Sequence, residues 1–157
     1  MKWFLIIVLI CVIMLIAMGV SEQYKDKFDF YSNLKSFLNQ FKLNLSFKQE
    51  KITDFLKNTQ GKKYFKQFVL AYEDYLSTDI INLNKIKVLE QSEATELENI
   101  IKNIGKHDAK NEIKQLDTFL LEIDNKLAKA QEDKNKLCPM ILKLSLLFAI
   151  GLAIILI

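Results

Sequence analysis

The chain has 157 residues, of which half are hydrophobic, and its 22 basic and 19 acidic residues leave a net charge of +3. So small a positive charge argues against nucleic-acid binding. Its two cysteines, Cys11 and Cys138, form neither a disulfide framework nor a metal-binding pattern. Both ends of the chain are apolar and the middle is strongly charged, which leaves room for one small core between two membrane segments.

The first segment, Trp3–Val20, carries no charged residue and is long enough for a membrane-spanning helix at about 1.5 Å per residue. A cleaved signal peptide is the rival interpretation, because Ala17-Met18-Gly19 resembles a cleavage site. Lys2 alone is a weak basic region for such a peptide. We favour an uncleaved membrane anchor that spans residues 1–20, because the apolar segment at the other end of the chain fits a protein with two membrane anchors.

The middle of the chain, residues 21–136, predicts helices and no strand. Apolar residues at three- and four-residue steps from Tyr24 to Leu45 predict a long helix continuous with the anchor. Four shorter helices are predicted to follow. The first two lie around Lys48–Asn58 and at Lys62–Leu76. The third begins after a cap at Ser77-Thr78-Asp79 and carries four apolar residues: Ile80, Ile81, Ile86 and Leu89. The fourth begins near a cap at Ser92.

A last soluble helix is predicted from Ala109 to Lys136, because Gly105 can end one helix and Asp108 can cap the next. Its apolar residues alternate between steps of three and four, the spacing of a coiled-coil seam that packs on other helices: Ile113, Leu116, Leu120, Ile123, Leu127 and Ala130. The predicted fold class is therefore all-α, an antiparallel helical bundle attached to two membrane helices.

The second membrane segment is predicted at residues 137–157. Lys143 lies about 9 Å inside it and can extend its amine towards the nearer surface. Pro139 either occupies the first turn of this helix or kinks one continuous helix. Three small residues recur every fourth position, a pattern that lets another helix approach closely: Ser145, Ala149 and Ala153.

The lysines near the two anchors predict the orientation in the membrane. Lys2 is the one lysine outside the first anchor, and Lys25 and Lys27 lie just inside it. Before the second anchor lie Lys126, Lys129, Lys134 and Lys136, and none follows it. Both ends therefore predict a cytoplasmic middle and external termini.

No enzymatic constellation is visible in the sequence. His107 is the only histidine and lies beside a helix start, where a turn residue is a simpler interpretation than a base or metal ligand. The four glycines are scattered and cannot form a phosphate-binding loop. We therefore predict a protein that is not an enzyme and has no cofactor, metal or small-molecule substrate.

The chain resembles the stage III sporulation protein AB family of endospore-forming bacteria. Three stretches carry the resemblance: the apolar start with the stepped helix to Phe47, the turn Ile104–Asp108, and the ending Lys136–Ile157. Glu112 stands where the family usually has Gln, Lys42 and Asn44 where it tends to have acidic residues, and Ser145 where it tends to have Gly.

The soluble part of that family is similar to the helical F domain of type II secretion and type IV pilus platform proteins. The resemblance implies a two-pass component of the mother-cell membrane facing the forespore, in a channel complex with other membrane proteins. It also implies that the protein acts beside a cytoplasmic secretion-type ATPase. The turn before the last soluble helix is predicted to lie at the tip of the bundle, where an ATPase can reach Lys106, His107, Asp108 and Glu112.

Three alternatives have different sequence requirements. A generic two-anchor coiled-coil envelope protein needs no sporulation-specific expression. A holin-like membrane protein is disfavoured by the large charged middle of the chain. A lipid-modifying enzyme needs a polar cluster near an anchor, and Lys143 is the only charged residue within the second membrane segment.

Overall fold

The computed structural model describes residues 2–47, 52–59, 61, 63–104 and 109–156. These residues form five α-helices and no strand, and the predicted all-α helical bundle is confirmed. In chain order the helices are α1 (Lys2–Phe47), α2 (Ile52–Lys57), α3 (Lys63–Thr78), α4 (Gln91–Asn103) and α5 (Ala109–Leu156).

The helices are organised in two compact units. The described residues of 1–28 and 128–157 form one unit, here called the membrane pair, and those of 29–127 form the second, here called the soluble unit. The membrane pair consists of the start of α1 and the end of α5. The soluble unit contains the rest of these two helices together with α2, α3 and α4.

Both terminal helices are long and continuous. The predicted continuity of the first anchor with the following helix is confirmed, because α1 has 46 residues without a break. Pro139 lies inside α5, so it does not begin the last helix. A proline in a helix interior removes the hydrogen bond to the carbonyl four residues earlier. Here that carbonyl belongs to Asn135, whose residue is exposed, so water can solvate it.

The core of the soluble unit is an aromatic cluster from α1, α2 and α3. The ring of Phe37 lies at its centre, with five other aromatic ring centroids 5.4–6.5 Å away: Phe41, Phe55, Phe65, Phe68 and Tyr72. The α5 seam contributes Leu116, Leu120 and Ile123, which are buried as predicted. Phe30 and Phe37 are also buried, although the stepped pattern used to predict this helix did not include them.

Two ion pairs join α1 and α5 within the soluble unit. The Lys35 amine lies 2.7 Å from Asp124, and the Lys42 amine lies 2.5 Å from Asp117. Residue numbers rise on one helix as they fall on the other, so the helices run antiparallel here. Because such exposed pairs contribute about 0–1 kcal/mol each, they specify register more than stability.

The predicted helix after Ser77-Thr78-Asp79 is wrong. Thr78 ends α3 and its hydroxyl donates to the Asp74 carbonyl, as the Ser77 hydroxyl does. Asp79 has φ of 59°, a left-handed conformation that Asp tolerates and that terminates the helix. Residues 80–90 form turns and irregular structure instead.

A long-range contact explains why this segment is not helical. The Leu83 N–H donates to the Glu98 carboxylate on α4 at 2.8 Å, and the Asn84 N–H donates to the side chain of Asn82. Ile81, Leu83 and Ile86 are buried. The apolar side chains therefore enter the core from a turn. Its backbone N–H groups donate to side chains at Leu83 and Asn84 and to carbonyls three residues earlier at Ile86 and Leu89.

The predicted cap at Ser92 is also wrong, by two residues. Helix α4 begins at Gln91, with Glu90 as its N-cap. The Glu93 side chain accepts a hydrogen bond from the Glu90 N–H at 2.9 Å, which is the return half of a capping box. Ser92 therefore lies inside the first turn.

Candidate functional site

The turn predicted to contact a partner lies outside the described residues, because Gly105, Lys106, His107 and Asp108 fall in the gap before α5. The structure does describe Glu112, which is one turn into α5 and only 2% exposed. Its carboxylate lies in the interior of the soluble unit. Participation of these four side chains, Lys106, His107, Asp108 and Glu112, in a partner contact stays a prediction.

Two buried tyrosines stand near acidic side chains in the soluble unit. Burial raises the pKa of Tyr72, and the Glu112 carboxylate raises this pKa further. Burial also raises the pKa of Tyr31, and the nearby Glu93 adds to the effect. Both phenols are therefore neutral at physiological pH, and they act as core residues rather than as acids or bases.

The described residues contain no group of three or more His, Cys, Asp or Glu side chains that could hold a metal ion. Cys11 is exposed and Cys138 is buried, and both are free thiols. The candidate functional site described next is the membrane pair, which contains the two helices long and apolar enough to cross a membrane.

Within the membrane pair, contacts between α1 and α5 follow seven-residue steps. The Ser145 hydroxyl lies 3.8 Å from the Met14 sulfur, and the Cys138 thiol donates to the Ser21 carbonyl at 3.3 Å. Met14 and Ser21 are seven residues apart, as are Cys138 and Ser145. Two helices that meet every seventh residue in opposite directions form an antiparallel pair with a fixed register.

The face of small residues on α5 lies in this contact. Ala149 is only 1% exposed, and Ser145 and Ala153 are half-buried. Because the membrane pair contains α1 and α5 alone, the first helix of the same chain covers Ala149. The structure thus accounts for the small residues by packing within the chain, and their contact with another protein stays a prediction.

We expect Ala149→Leu to weaken the packing of α1 on α5 without preventing membrane insertion. The larger side chain keeps the segment apolar but fills the space in which the helices meet. Disulfide formation between Met14→Cys and Ser145→Cys, in full-length chain lacking Cys11 and Cys138, measures the approach of the helices. The cross-linked fraction should fall in the Leu variant.

The matched control is Gly151→Leu, two residues further along α5. Gly151 is exposed, and a Cβ added to it meets nothing within 4 Å. Its cross-linked fraction should equal that of the parent chain. Equal cross-linking in the Ala149→Leu variant would show that the small face does not set the distance between the helices.

Most of the large apolar side chains of the membrane pair are exposed. Two helices are long and apolar enough to cross a membrane, and only 17% and 11% of their most apolar stretches are buried. A core helix of a soluble protein would be mostly buried. Phe4, Leu15, Phe148 and Ile155 are among the side chains that are more than half exposed, which suits a surrounding of lipid chains.

These features define an all-α membrane protein with a packed helical unit and two apolar helices. The family model of stage III sporulation protein AB matches residues 2–157 of the chain. The chain therefore belongs to the stage III sporulation protein AB family, which implies a role in stage III of sporulation. Neither the curated proteins nor the solved structures compared with the chain gave a match.

Proposed function

We propose that the protein is a non-enzymatic membrane platform of the secretion-like channel complex that links mother cell and forespore during sporulation. The observation that carries the proposal is the family match over nearly the whole chain. Two apolar helices beside a packed helical unit support it, because a platform needs both an anchor and a surface for partners.

In this proposal the protein crosses the mother-cell membrane facing the forespore twice. The bundle of residues 21–136 faces the cytoplasm and both termini face outward, as the lysine distribution suggests. The soluble unit acts as an F-domain-like module beside a secretion-type ATPase. The α1 and α5 segments of the membrane pair pack as an antiparallel coiled coil, which the seven-residue spacing of their contacts supports.

The ATPase contact is placed at the turn that precedes α5. Helix α5 begins at Ala109, and the free N–H groups of a helix start favour a carboxylate from a partner. Lys106, His107 and Asp108 flank this start in the sequence. Glu112 is buried, so the proposed contact depends on Lys106, His107 and Asp108.

We expect the full-length protein, purified from sporulating cells, to retain a secretion-type ATPase, and Asp108→Ser to lose it. Serine is as good an N-cap as aspartate, so the melting temperature should not change while the carboxylate is lost. Lys110→Ala is the control, because Lys110 is exposed in the first turn of α5. Capture is measured by mass spectrometry of the purified complex.

Failure of the parent chain to retain any ATPase would reject the platform proposal. Retention by both the parent chain and Asp108→Ser would reject only the contact at this turn. Expression confined to sporulation and co-purification with the ATPase would argue against the generic envelope-scaffold alternative, and lysis on overexpression would argue for the holin-like alternative.

A further inference from the structure

A row of lysines leads along α5 into its apolar segment. Lys129, Lys136 and Lys143 are exposed and seven residues apart, so they share one face at intervals of about 10.5 Å. Cys138 and Ser145, which contact α1, each lie two residues beyond a lysine of this row. Two residues correspond to a rotation of about 200° around a helix, so the lysines point away from α1.

The contact with α1 shows how deep Lys143 lies. Between Lys2 and Glu22, α1 has no charged residue, so the apolar zone of that helix ends near Ser21. Ser21 contacts Cys138, which places the same boundary on α5 at Cys138. Lys143 is therefore about 7.5 Å inside the apolar zone and Lys136 about 3 Å outside it.

The amine of Lys143 has no partner within the described part of the chain. Lys136 forms an ion pair with Glu132, whereas no ion pair or hydrogen bond is formed by Lys143 among the residues that the structure describes. A lysine this deep lays its aliphatic stem along the apolar surface and raises its amine to the boundary. Lipid phosphates are anionic groups at the level of that boundary.

The surroundings of Lys143 also suit a lipid. Three apolar residues share its helix face, because they lie three residues before it or three and four residues after it, and all are about half exposed or more: Met140, Leu146 and Leu147. A diacyl phospholipid presents a phosphate at the level of the amine and acyl chains along these side chains. An acidic partner helix would match only the amine.

We propose that Lys143, together with Lys136, binds the headgroup of an anionic phospholipid, one whose phosphodiester charge is not balanced by an ammonium group. Lys143 contacts the phosphate from below the boundary and Lys136 adds positive potential from above it. Zwitterionic phosphatidylcholine carries its own cation and is disfavoured at this position. This site is independent of the sporulation complex and of which termini face outward.

The test uses the full-length chain reconstituted in phosphatidylcholine vesicles that contain a trace of spin-labelled phosphatidylglycerol or spin-labelled phosphatidylcholine. Electron paramagnetic resonance measures the fraction of each labelled lipid that the protein immobilises. We expect the protein to immobilise spin-labelled phosphatidylglycerol with about five-fold preference over spin-labelled phosphatidylcholine. This is the effect typical of one lysine near an anionic membrane surface. High salt should reduce the preference, because it screens charges near the surface.

Lys143→Gln should bring the two lipids close to parity, and Lys143→Arg should keep the preference. Lys136→Gln should lower it partly, and Lys110→Gln, an exposed lysine far along the same helix, should leave it unchanged. Flotation of the vesicles shows that each variant is incorporated. If Lys143→Gln is not incorporated into the vesicles, the lipid preference of Lys136→Gln is compared with that of the parent chain, and an equal preference would overturn the proposal.

Equal immobilisation of both lipids by the parent chain would overturn the proposal. An unchanged preference in Lys143→Gln would overturn it as well. If Lys143→Gln instead disrupts retention of a membrane-protein partner while lipid preference persists, the occupant of this face is an acidic helix and not a lipid.

Discussion

Leu120→Asp is expected to unfold the soluble unit, whereas Leu121→Asp, the same change at the next position, is expected to leave it folded. Leu120 is 9% exposed and Leu121 is 67% exposed. A buried charge without a partner costs several kcal/mol, which is comparable with a total stability of about 5–15 kcal/mol. At Leu121 the carboxylate stays in water and the expected change is within about 0.5 kcal/mol.

Far-UV circular dichroism melts and limited proteolysis of the full-length chain in detergent distinguish the two variants. The Leu120 variant should lose its cooperative transition and be cleaved within residues 29–127, while the Leu121 variant should resemble the parent. A folded Leu120→Asp protein would show that the α5 seam does not face the core.

Phe37→Ala is expected to destabilise the soluble unit by about 3–5 kcal/mol, the usual cost of truncating a buried aromatic side chain. Phe37 is 2% exposed and contacts rings from three helices. The substitution removes the centre of the cluster and leaves a cavity that its neighbours cannot all close. This expectation concerns packing alone, because no charge is introduced.

The control is Phe47→Ala at the end of the same helix, where the ring is 83% exposed. Both variants lose the same atoms and differ only in burial. Urea denaturation of the full-length chain, followed by circular dichroism, should show a large fall in midpoint for Phe37→Ala and little change for Phe47→Ala. Equal midpoints would mean that the aromatic cluster does not hold α1 on α2 and α3.

The family match and the structure together indicate the setting in which the protein works. The family match implies a stage III sporulation role, and the structure supplies a packed helical unit with two apolar helices. Of the small residues of α5, Ala149 is buried within the chain, and Ser145 and Ala153 are half-buried.

Much of the helical architecture could be predicted from the sequence, because helix formation leaves a local pattern. Steps of three and four predicted α1 and the α5 seam, and Leu116, Leu120 and Ile123 are buried as expected. The charge-free segment from Trp3 to Val20 similarly predicted a membrane-spanning length. These properties depend only on neighbours along the chain.

Other features depend on residues that are distant in sequence, and only the tertiary structure decided them. Residues 80–90 carry apolar spacing that is compatible with a helix, yet Glu98 on α4 accepts the Leu83 N–H and holds the segment as a turn. Glu112 has the sequence environment of an exposed first-turn acid but is buried. The small face around Ala149 is equally compatible with lipid, a partner or the same chain, and the register set by Ser21 and Cys138 turns it towards α1. Local periodicity specifies which side of a helix is apolar, and only the packing of distant segments specifies what covers it.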